Sequence, residues 1–355
     1  MRVLLVKMSS MGDVFHTSPA LTDAQHAIPG LVVDWVVEEA FAEIPFWHPV
    51  VDRVLLINLR QWRKQPFAKQ TRTQKNAFFN KVNEQRYDLV LDAQGLLKSA
   101  WVTRQINAPE KVLKAGLDWS SARERLASFF YDRKINVAKD QHAITRLREL
   151  FAKALDYPLP NTPIEYGLNH QAWLPLEQGP NPQSKSKSYV VCLHGTTWQT
   201  KYWPEDHWQA LITQLNQQGL KVVLPWGNAE EKARSERLAQ GLNEHQAWCP
   251  PASLKLNEVA RLLKHAKAVV SVDTGLSHVA AALDVPLVVL YRVTDPKLVG
   301  AQGQMVTHLC SPLAPQYIKQ FKPGQEHASL QGLGVDDVLD KINLLEFNEA
   351  LPDQK

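Results

Sequence analysis

Short apolar runs that alternate with amphipathic segments are the feature of this 355-residue chain that most restricts its fold. The run Ala268 to Val272, AVVSV, is followed by the polar break Asp273-Thr274-Gly275 and then by apolar residues at helical spacing. The same order of apolar run, polar turn and helix begins at Arg2 to Val6 and again at Tyr189 to Leu193. Repeated alternation of this kind is typical of doubly wound parallel sheets. The sequence therefore predicts two α/β domains.

A change in composition marks the boundary between these domains. Pro, Gly, Asn, Gln and Ser are frequent between Pro158 and Ser188, as in linkers. We predict an N-terminal domain at 1–165, a linker at 166–188, a C-terminal domain at 189–330, and a C-terminal helix within 331–355 that packs back on the N-terminal domain. A ligand is expected between the domains, at the carboxyl ends of their strands.

Composition and cysteine usage favour a globular protein of a reducing compartment. Hydrophobic residues make up 45% of the chain and charged residues 21%, as in soluble globular proteins. The three cysteines form no CxxC pair, so no disulfide framework is predicted. No apolar run approaches the ~20 residues that span a bilayer, and the opening MRVLLVK is too short for a signal peptide. We expect a cytoplasmic protein.

Positive charge is concentrated between Arg60 and Arg148, where 19 Lys and Arg stand against 8 Asp and Glu. Because the net charge of the whole chain is +4, the remaining residues are net acidic. The segment Arg60 to Lys75 is the densest and carries Trp62 and Phe67 between its cations. Such a run is either a solvated face or a surface for nucleic acid, an anionic membrane or a phosphorylated substrate.

The turn at residues 273–278 offers groups that bind anions. A helix N-terminus presents unpaired N–H groups and a favourable dipole. Thr274 adds a hydroxyl, Gly275 lets a ligand approach the backbone, and His278 lies in the first helical turn. The alternative is an ordinary connection in which Asp273 caps the helix.

A second candidate anion site follows the apolar run Tyr189 to Leu193. Thr196 and Thr197 supply hydroxyls and Lys201 supplies a cation, which suits a diphosphate whose charge grows as it departs. The alternative is a βα turn with an incidental surface lysine, since such turns are common in α/β folds.

Asp13 follows the first apolar run, at the start of a helix predicted over Val14 to Ala27. Its structural role would be that of a helix cap or a partner of the helix dipole. Its functional role would be that of a general base at the edge of a cleft. A further helix is predicted at Asp118 to Tyr131, and the buried strand Tyr87 to Asp92 ends in the polar turn Ala93-Gln94-Gly95.

Motifs for metal binding and for nucleophilic catalysis are missing from the sequence. It contains no D-x-D, no H-E-x-x-H and no G-x-S-x-G, and the 12 histidines are scattered. We therefore expect neither a metal nor another cofactor, with Lys201 and helix-terminal amides serving in place of a metal at a diphosphate.

Taken together in their order and spacing, seven segments resemble the glycosyltransferases of the ADP-heptose:lipopolysaccharide heptosyltransferase family. The resemblance covers nearly the whole chain, and the second segment is similar to members that add the first heptose. The segments are Lys7 to Ala20 (KMSSMGDVFHTSPA), Asp34 to Pro45 (DWVVEEAFAEIP), Asp92 to Ser99 (DAQGLLKS), Asp118 to Arg123, Thr196-Thr197 with Lys201 to Pro204, Leu224 to Gly227, and Ser271 to His278.

The resemblance implies a GT-B fold, with two Rossmann-like domains and the active site in the cleft between them. It implies inverting, metal-independent transfer of L-glycero-D-manno-heptose from ADP-heptose to the first Kdo of Kdo2–lipid A, with Asp13 as general base. Glu231 falls where the family has a carboxylate that binds ribose, although Glu230 leaves the register open, and Leu254 falls beside the adenine. The donor-binding residues implied are Thr196, Thr197, Lys201, Glu231, Leu254, Asp273, Thr274, Gly275 and His278.

The resemblance also gives the basic N-terminal domain a partner, because lipid A carries phosphates and Kdo carries carboxylates. We expect peripheral association with the cytoplasmic face of the inner membrane of a Gram-negative bacterium, and no nucleic-acid partner. The acceptor-binding candidates are Ser10, Gly12, Arg60, Arg63, Lys64, Lys98 and Arg123.

One position departs from the family pattern. Where many relatives read Gly-Pro-Thr-Asp-Pro, this chain reads Arg292-Val293-Thr294-Asp295-Pro296. Three other functions stay open: a heptosyltransferase acting on an already heptosylated core, a nucleotide-sugar epimerase, and a non-enzymatic protein that binds anionic glycolipid.

Overall fold

The computed structural model describes residues 1–107, 112–170, 173–177, 179–180, 189–311 and 332–349, with side chains of the last helix described as far as Ile342. The chain divides into two compact units, Met1–Asn169 and His170–Lys355. Residues 181–188 of the predicted linker lie outside the described residues.

A parallel sheet of six described strands forms the centre of the first unit, in the order β3-β2-β1-β4-β5-β6. The run RVLLV of β1 is apolar almost throughout because strands inside a parallel sheet are covered on both faces. The strands are β1 (Arg2–Val6), β2 (Val32–Glu38), β3 (Val51–Ile57), β4 (Leu89–Asp92), β5 (Leu113–Leu117) and β6 (Arg133–Ile135). The helices are α1 (Met11–Phe15), α2 (Ser18–Ala27), α3 (Leu59–Lys64), α4 (Lys69–Asn83), α5 (Leu97–Gln105) and α6 (Ala143–Leu155), with short 3-10 helices at Glu39–Phe41, Pro45–Trp47 and Arg125–Phe130.

The described part of the second unit repeats this architecture, with the strand order β12-β11-β10-β7-β8-β9, all parallel where they pair. Its strands are β7 (Tyr189–Leu193), β8 (Lys221–Val223), β9 (Ala247–Trp248), β10 (Ala268–Val272), β11 (Leu287–Tyr291) and β12 (Val306–Cys310). Its helices are α7 (Glu205–Gln217), α8 (Ala229–Leu238), α9 (Leu256–Lys264), α10 (Gly275–Ala282), α11 (Pro296–Val299) and α12 (Val335–Glu349), with a 3-10 helix at Gln199–Lys201.

Each sheet has a point at which the strand order reverses. In the first unit this point lies between β1 and β4, which pair from Val3 with Leu89 to Val6 with Asp92. In the second unit it lies between β7 and β10, which pair from Val190 with Ala268 onward. Loops that leave the carboxyl ends of two such strands diverge to opposite faces of the sheet and leave a crevice, where ligands of α/β proteins bind.

Each unit buries an apolar core against its sheet. In the second unit the core includes Trp203 and Trp208 and also Val338, Leu339 and Ile342 of α12. The C-terminal helix, which we expected to pack on the N-terminal domain, thus buries these three side chains in the second unit.

Two predicted helices differ from those observed. The helix predicted at Val14 to Ala27 is two helices, α1 and α2, and Pro19 lies in the first turn of α2; proline fits that position well. The helix predicted at Asp118 to Tyr131 is wrong: a turn is followed by a 3-10 helix at Arg125–Phe130. Asp118 accepts hydrogen bonds from the Ser120 hydroxyl and the Ser121 amide, both at 2.8 Å, and this local bonding competes with the helix.

The basic segment 60–75 also differs from its description as a surface with interleaved aromatic rings. The side chain of Trp62 is 3% exposed and donates from Nε1 to Gln74 at 3.1 Å, so it is part of the core. Phe67 is almost fully exposed.

Candidate functional site

Asp13 lies in α1, immediately after the loop that leaves β1 at the reversal point of the first sheet. Its carboxylate accepts two hydrogen bonds from Ser10, one from the backbone amide at 3.0 Å and one from the hydroxyl at 2.8 Å. The ammonium of Lys7 lies 3.6 Å from the other carboxylate oxygen. The Asp13 side chain is 44% exposed, so these contacts leave it accessible to a ligand.

These contacts determine the ionisation of Asp13. Burial by itself would raise the pKa of this carboxyl, but the Lys7 charge and the Ser10 hydrogen bonds outweigh it and hold the pKa well below its usual range. Asp13 is therefore ionised at neutral pH. The helix-partner role and the base role considered for this residue are compatible, because a carboxylate oxygen can accept further hydrogen bonds.

The loops after β1 and β4 are tied together by side chains of two segments named in the sequence analysis, of which only Lys98 was singled out as a site residue. Gln94 accepts from the Met8 amide at 2.8 Å and donates to the Ser9 hydroxyl at 3.4 Å. Lys98 donates to the same hydroxyl at 3.0 Å. The buried carboxylate of Asp92 accepts from the amides of Gln94 and Gly95 at 2.8 and 3.1 Å. Met8 and Ser9 are thus fixed against the DAQG turn; Ser10 follows them as the cap of α1, and Gly12 lies within that helix.

The basic side chains near this loop differ in how deeply they are buried and in which charged groups lie near them. Lys98 is half-buried, and burial together with the charges of Arg60 and Arg63 lowers its pKa, while Glu38 and Asp13 raise it. The charges of Arg60, Arg63 and Asp13 therefore all lie close enough to Lys98 to act on its ammonium group. Lys64 and Arg123 are exposed, and the backbone of Arg123 borders Gly95.

Asp273 connects the loops of the second unit at its reversal point. Lys201 donates from Nζ to Asp273 Oδ2 at 2.6 Å, and the Thr294 hydroxyl donates to the same oxygen. Thr196 donates to the Asp273 backbone carbonyl at 3.0 Å. The structure thus brings Thr196, Lys201 and Asp273 together as predicted, and it adds Thr294. The cation expected to serve a phosphate is paired with a carboxylate of the protein.

Of the two candidate ribose carboxylates, Glu231 is the one whose side chain lies against the loop after β7. Its carboxylate accepts from the Gly227 amide at 2.8 Å, and its own amide donates to the capping Asn228 at 3.0 Å. A Cβ atom at Gly195 would lie 2.7 Å from Glu231 Cδ, so only glycine allows this approach. Glu230 is exposed. Glu231 therefore belongs to the same sheet edge as Thr196.

The remaining donor candidates lie on the same unit. Thr274 caps α10 with extended backbone, Gly275 begins that helix, and His278 is buried in its first turn. Thr197 is exposed. Leu254 is half-buried in a loop that Ser253 joins to the carbonyl of Trp226 by a 3.5 Å hydrogen bond.

Two features are absent from the described residues. Among them, no cluster of three or more His, Cys, Asp or Glu side chains could hold a metal ion. No described helix is both long enough and apolar enough to cross a membrane.

Comparisons with known proteins agree with this geometry. The family model described as glycosyltransferase family 9 (heptosyltransferase) matches residues 76–327. Lipopolysaccharide heptosyltransferase 1 of Pseudomonas aeruginosa is 50% identical over 334 residues, which cover 93% of this chain and 90% of that protein. Lipopolysaccharide heptosyltransferase 2 of Salmonella typhimurium is 42% identical over 98 residues, only 27% of this chain.

Solved structures show the same similarity. The Escherichia coli heptosyltransferase WaaC with ADP superposes with a TM-score of 0.85 at 45% identity, covering 97% of this chain and 100% of that one. The same enzyme with ADP-2-deoxy-2-fluoro heptose gives a TM-score of 0.82 at 44% identity, with coverage of 98% and 100%. The predicted GT-B class, with two Rossmann-like units, is confirmed. The chain therefore belongs to glycosyltransferase family 9, the heptosyltransferase family.

Proposed function

We propose that this glycosyltransferase moves L-glycero-D-manno-heptose from ADP-heptose to the first Kdo of Kdo2–lipid A, with inversion at the anomeric carbon. The observation that carries the proposal is Asp13, an accessible carboxylate held ionised by Lys7 and Ser10 at a sheet reversal point. Similarity over nearly full length to a lipopolysaccharide heptosyltransferase 1 supports the acceptor. Similarity to a structure with an ADP-heptose analogue supports the donor.

In the proposed reaction Asp13 acts as general base. Its carboxylate takes the proton of a Kdo hydroxyl, and the resulting oxygen attacks the anomeric carbon of the heptose. The bond from that carbon to the β-phosphate oxygen breaks, and its electron pair leaves with ADP. Because attack and departure occur on opposite faces of the sugar, the configuration inverts.

The donor would be held by the second unit. Glu231 is positioned to accept hydrogen bonds from ribose hydroxyls, because Gly195 and Gly227 keep its carboxylate at the sheet edge. The hydroxyls of Thr196 and Thr197 and the N-terminus of α10 are the neutral donors proposed for the diphosphate. We propose that the reaction requires no metal ion.

The anionic acceptor would be held by the basic residues of the first unit. The charges of Arg60, Arg63 and Asp13 all act on the ammonium group of Lys98. Large apolar side chains are also exposed on this unit, at Trp119, Leu126 and Phe129. We propose that this combination of cations and apolar groups supports peripheral association with the inner membrane.

Charge reversal at Arg60, Arg63 and Lys64 tests the acceptor surface. Each cation near an anionic surface contributes about 1 kcal/mol, so the triple variant should bind anionic vesicles far more weakly and show a higher acceptor KM. Charge reversal at Lys139, an exposed cation of the same unit, is the control. Unchanged KM and vesicle binding would show that the basic segment is a solvated face that does not bind the acceptor.

The experiment that tests the function is ADP release from ADP-heptose without added metal, with and without Kdo2–lipid A. Acceptor-dependent release, with one heptose added by mass, is the expected result. Release only with a heptosylated core would identify a later heptosyltransferase. If the protein binds Kdo2–lipid A but releases ADP with neither acceptor, it is a glycolipid-binding protein, and the proposed enzymatic function is refuted.

A further inference from the structure

Arg292 follows β11 directly, at the sheet edge that carries the donor loops. Strand β11 pairs with β10 up to Val272 and Leu290, so the residues after both strands are neighbours. Thr294, two residues further along, donates to the carboxylate of Asp273. The loop that contains Arg292 is therefore fastened to the centre of the proposed donor site.

Two of the three guanidinium nitrogens of Arg292 are buried without a hydrogen-bond partner among the described residues. The residue is 9% exposed, and neither Nε nor Nη1 has a hydrogen-bond partner in the part of the chain that the structure describes. Burial lowers the pKa of this guanidinium. A buried cation without a partner is strongly unfavourable, so its presence beside a ligand site indicates that a ligand supplies the anion.

The charges around Arg292 indicate which anion this is. Lys201, a second cation of these loops, is already paired with Asp273 at 2.6 Å. The two charges of that pair cancel, whereas a nucleoside diphosphate brings several negative charges. Within the described ranges of the chain, Arg292 thus has no carboxylate partner that compensates its charge.

We infer that Arg292 binds the diphosphate of the nucleotide-sugar donor and stabilises the departing nucleoside diphosphate. This inference rests on the donor assigned in the proposed function. The planar fork of a guanidinium matches two phosphate oxygens, and it forms stronger, better directed hydrogen bonds than an ammonium. Negative charge increases on the β-phosphate as its bond to the anomeric carbon breaks, so a cation held there favours the transition state.

Calorimetric binding of ADP and of adenosine to the full-length protein tests this role. Arg292→Met should weaken ADP binding roughly 10- to 100-fold, the range for hydrogen bonds to charged groups, and leave adenosine binding unchanged. Arg292→Lys should recover part of the ADP affinity because it restores charge without the fork. Arg237→Met, which removes an exposed arginine of α8 paired with Glu205, is the control and should bind ADP like the wild type.

Thermal unfolding of the ligand-free variants separates a binding role from a structural one. Removing a buried, unpaired charge should leave the melting temperature of Arg292→Met equal to or above that of the wild type. A lower melting temperature combined with equal losses of ADP and adenosine binding would overturn the inference, as would wild-type ADP affinity in Arg292→Met. If the wild type bound no ADP at all, the assignment of ADP-heptose as the donor would be refuted together with this inference. If Arg292→Met does not fold, Arg292→Lys is measured instead. An ADP affinity of Arg292→Lys equal to that of the wild type would then overturn the inference.

Discussion

Replacing Asp13 by Asn removes the proposed base while keeping the shape of the side chain. The amide oxygen of Asn can still accept the hydrogen bonds that Ser10 donates from its amide and hydroxyl, so the loop after β1 should keep its conformation. The amide cannot take up a proton from the acceptor hydroxyl. We expect kcat to fall by roughly 10²–10⁴-fold, which is about 3–5 kcal/mol of activation free energy, with little change in donor affinity.

Lys7→Met tests the electrostatic part of the same reasoning. Unit charges 3.6 Å apart, the distance from Lys7 Nζ to Asp13 Oδ1, attract by about 4–5 kcal/mol at an effective dielectric constant near 20. Because the Asp13 side chain is 44% exposed, solvent screening reduces this to on the order of 1 kcal/mol. The low pKa of Asp13 keeps the base ionised as pH falls, and activity is lost only below that pKa. Removing Lys7 raises the pKa, so the acid limb of kcat/KM should move to higher pH.

The assay is acceptor-dependent ADP release, measured with product mass over the acidic and neutral range. Asp140→Asn, an exposed carboxylate of the same unit, is the matched control and should behave like the wild type. Activity of Asp13→Asn within a few-fold of the wild type would refute the assignment of the base. An acid limb that stays in place in Lys7→Met would refute the electrostatic account.

Three further predictions concern the donor site and the stability of the fold. Gly195→Ala should weaken ADP binding, measured by calorimetry, because its Cβ would displace the Glu231 carboxylate from a position 2.7 Å away. Lys201→Met leaves the Asp273 side chain, 11% exposed, without its ammonium partner, and should lower the free energy of unfolding in urea by roughly 1–3 kcal/mol; Asp273→Asn in the same chain should restore part of this loss. Burial raises the pKa of Asp118, but hydrogen bonds from Ser121, Asn136 and Ser120 outweigh it and lower the pKa to about 2. The stabilisation from ionised Asp118 is therefore present above the ordinary carboxyl pKa and lost as pH falls toward 2, and Asp118→Asn should weaken that pH dependence of the melting temperature.

The sequence predicts the structure best where polar residues of the candidate site directly follow buried strands. The run AVVSV identifies β10 with its observed bounds. A polar break after a buried strand is enough to assign Asp273 and Thr196 to one sheet edge, where the Thr196 hydroxyl contacts the Asp273 carbonyl. In parallel sheets the carboxyl ends of strands share an edge, so strand order along the chain already restricts where loops can meet.

Other features could not be predicted because they depend on partners distant in the chain. The sequence presents Lys201 as a cation available to a phosphate, yet its partner Asp273 is 72 residues away. Charged neighbours in sequence make Trp62 resemble a surface ring, but it packs with Phe78 in the core. Strands β6 and β9 have only three and two residues, too few for an apolar pattern to show.

The reversal of strand order affects how each unit folds during its synthesis. The central pair β1–β4 joins Val3 to Leu89, and the pair β7–β10 joins Val190 to Ala268. Such long-range pairings are intrinsically slow to form, because the entropy of loop closure is lost before the stabilising contacts between the strands have formed. At about 5–20 residues per second of synthesis, the ribosome needs roughly 4–17 seconds to add the 86 residues from Leu4 to Leu89. Throughout that time one edge of β1 stays open, and the loop that carries Asp13 reaches its final partners only when β4 closes the sheet.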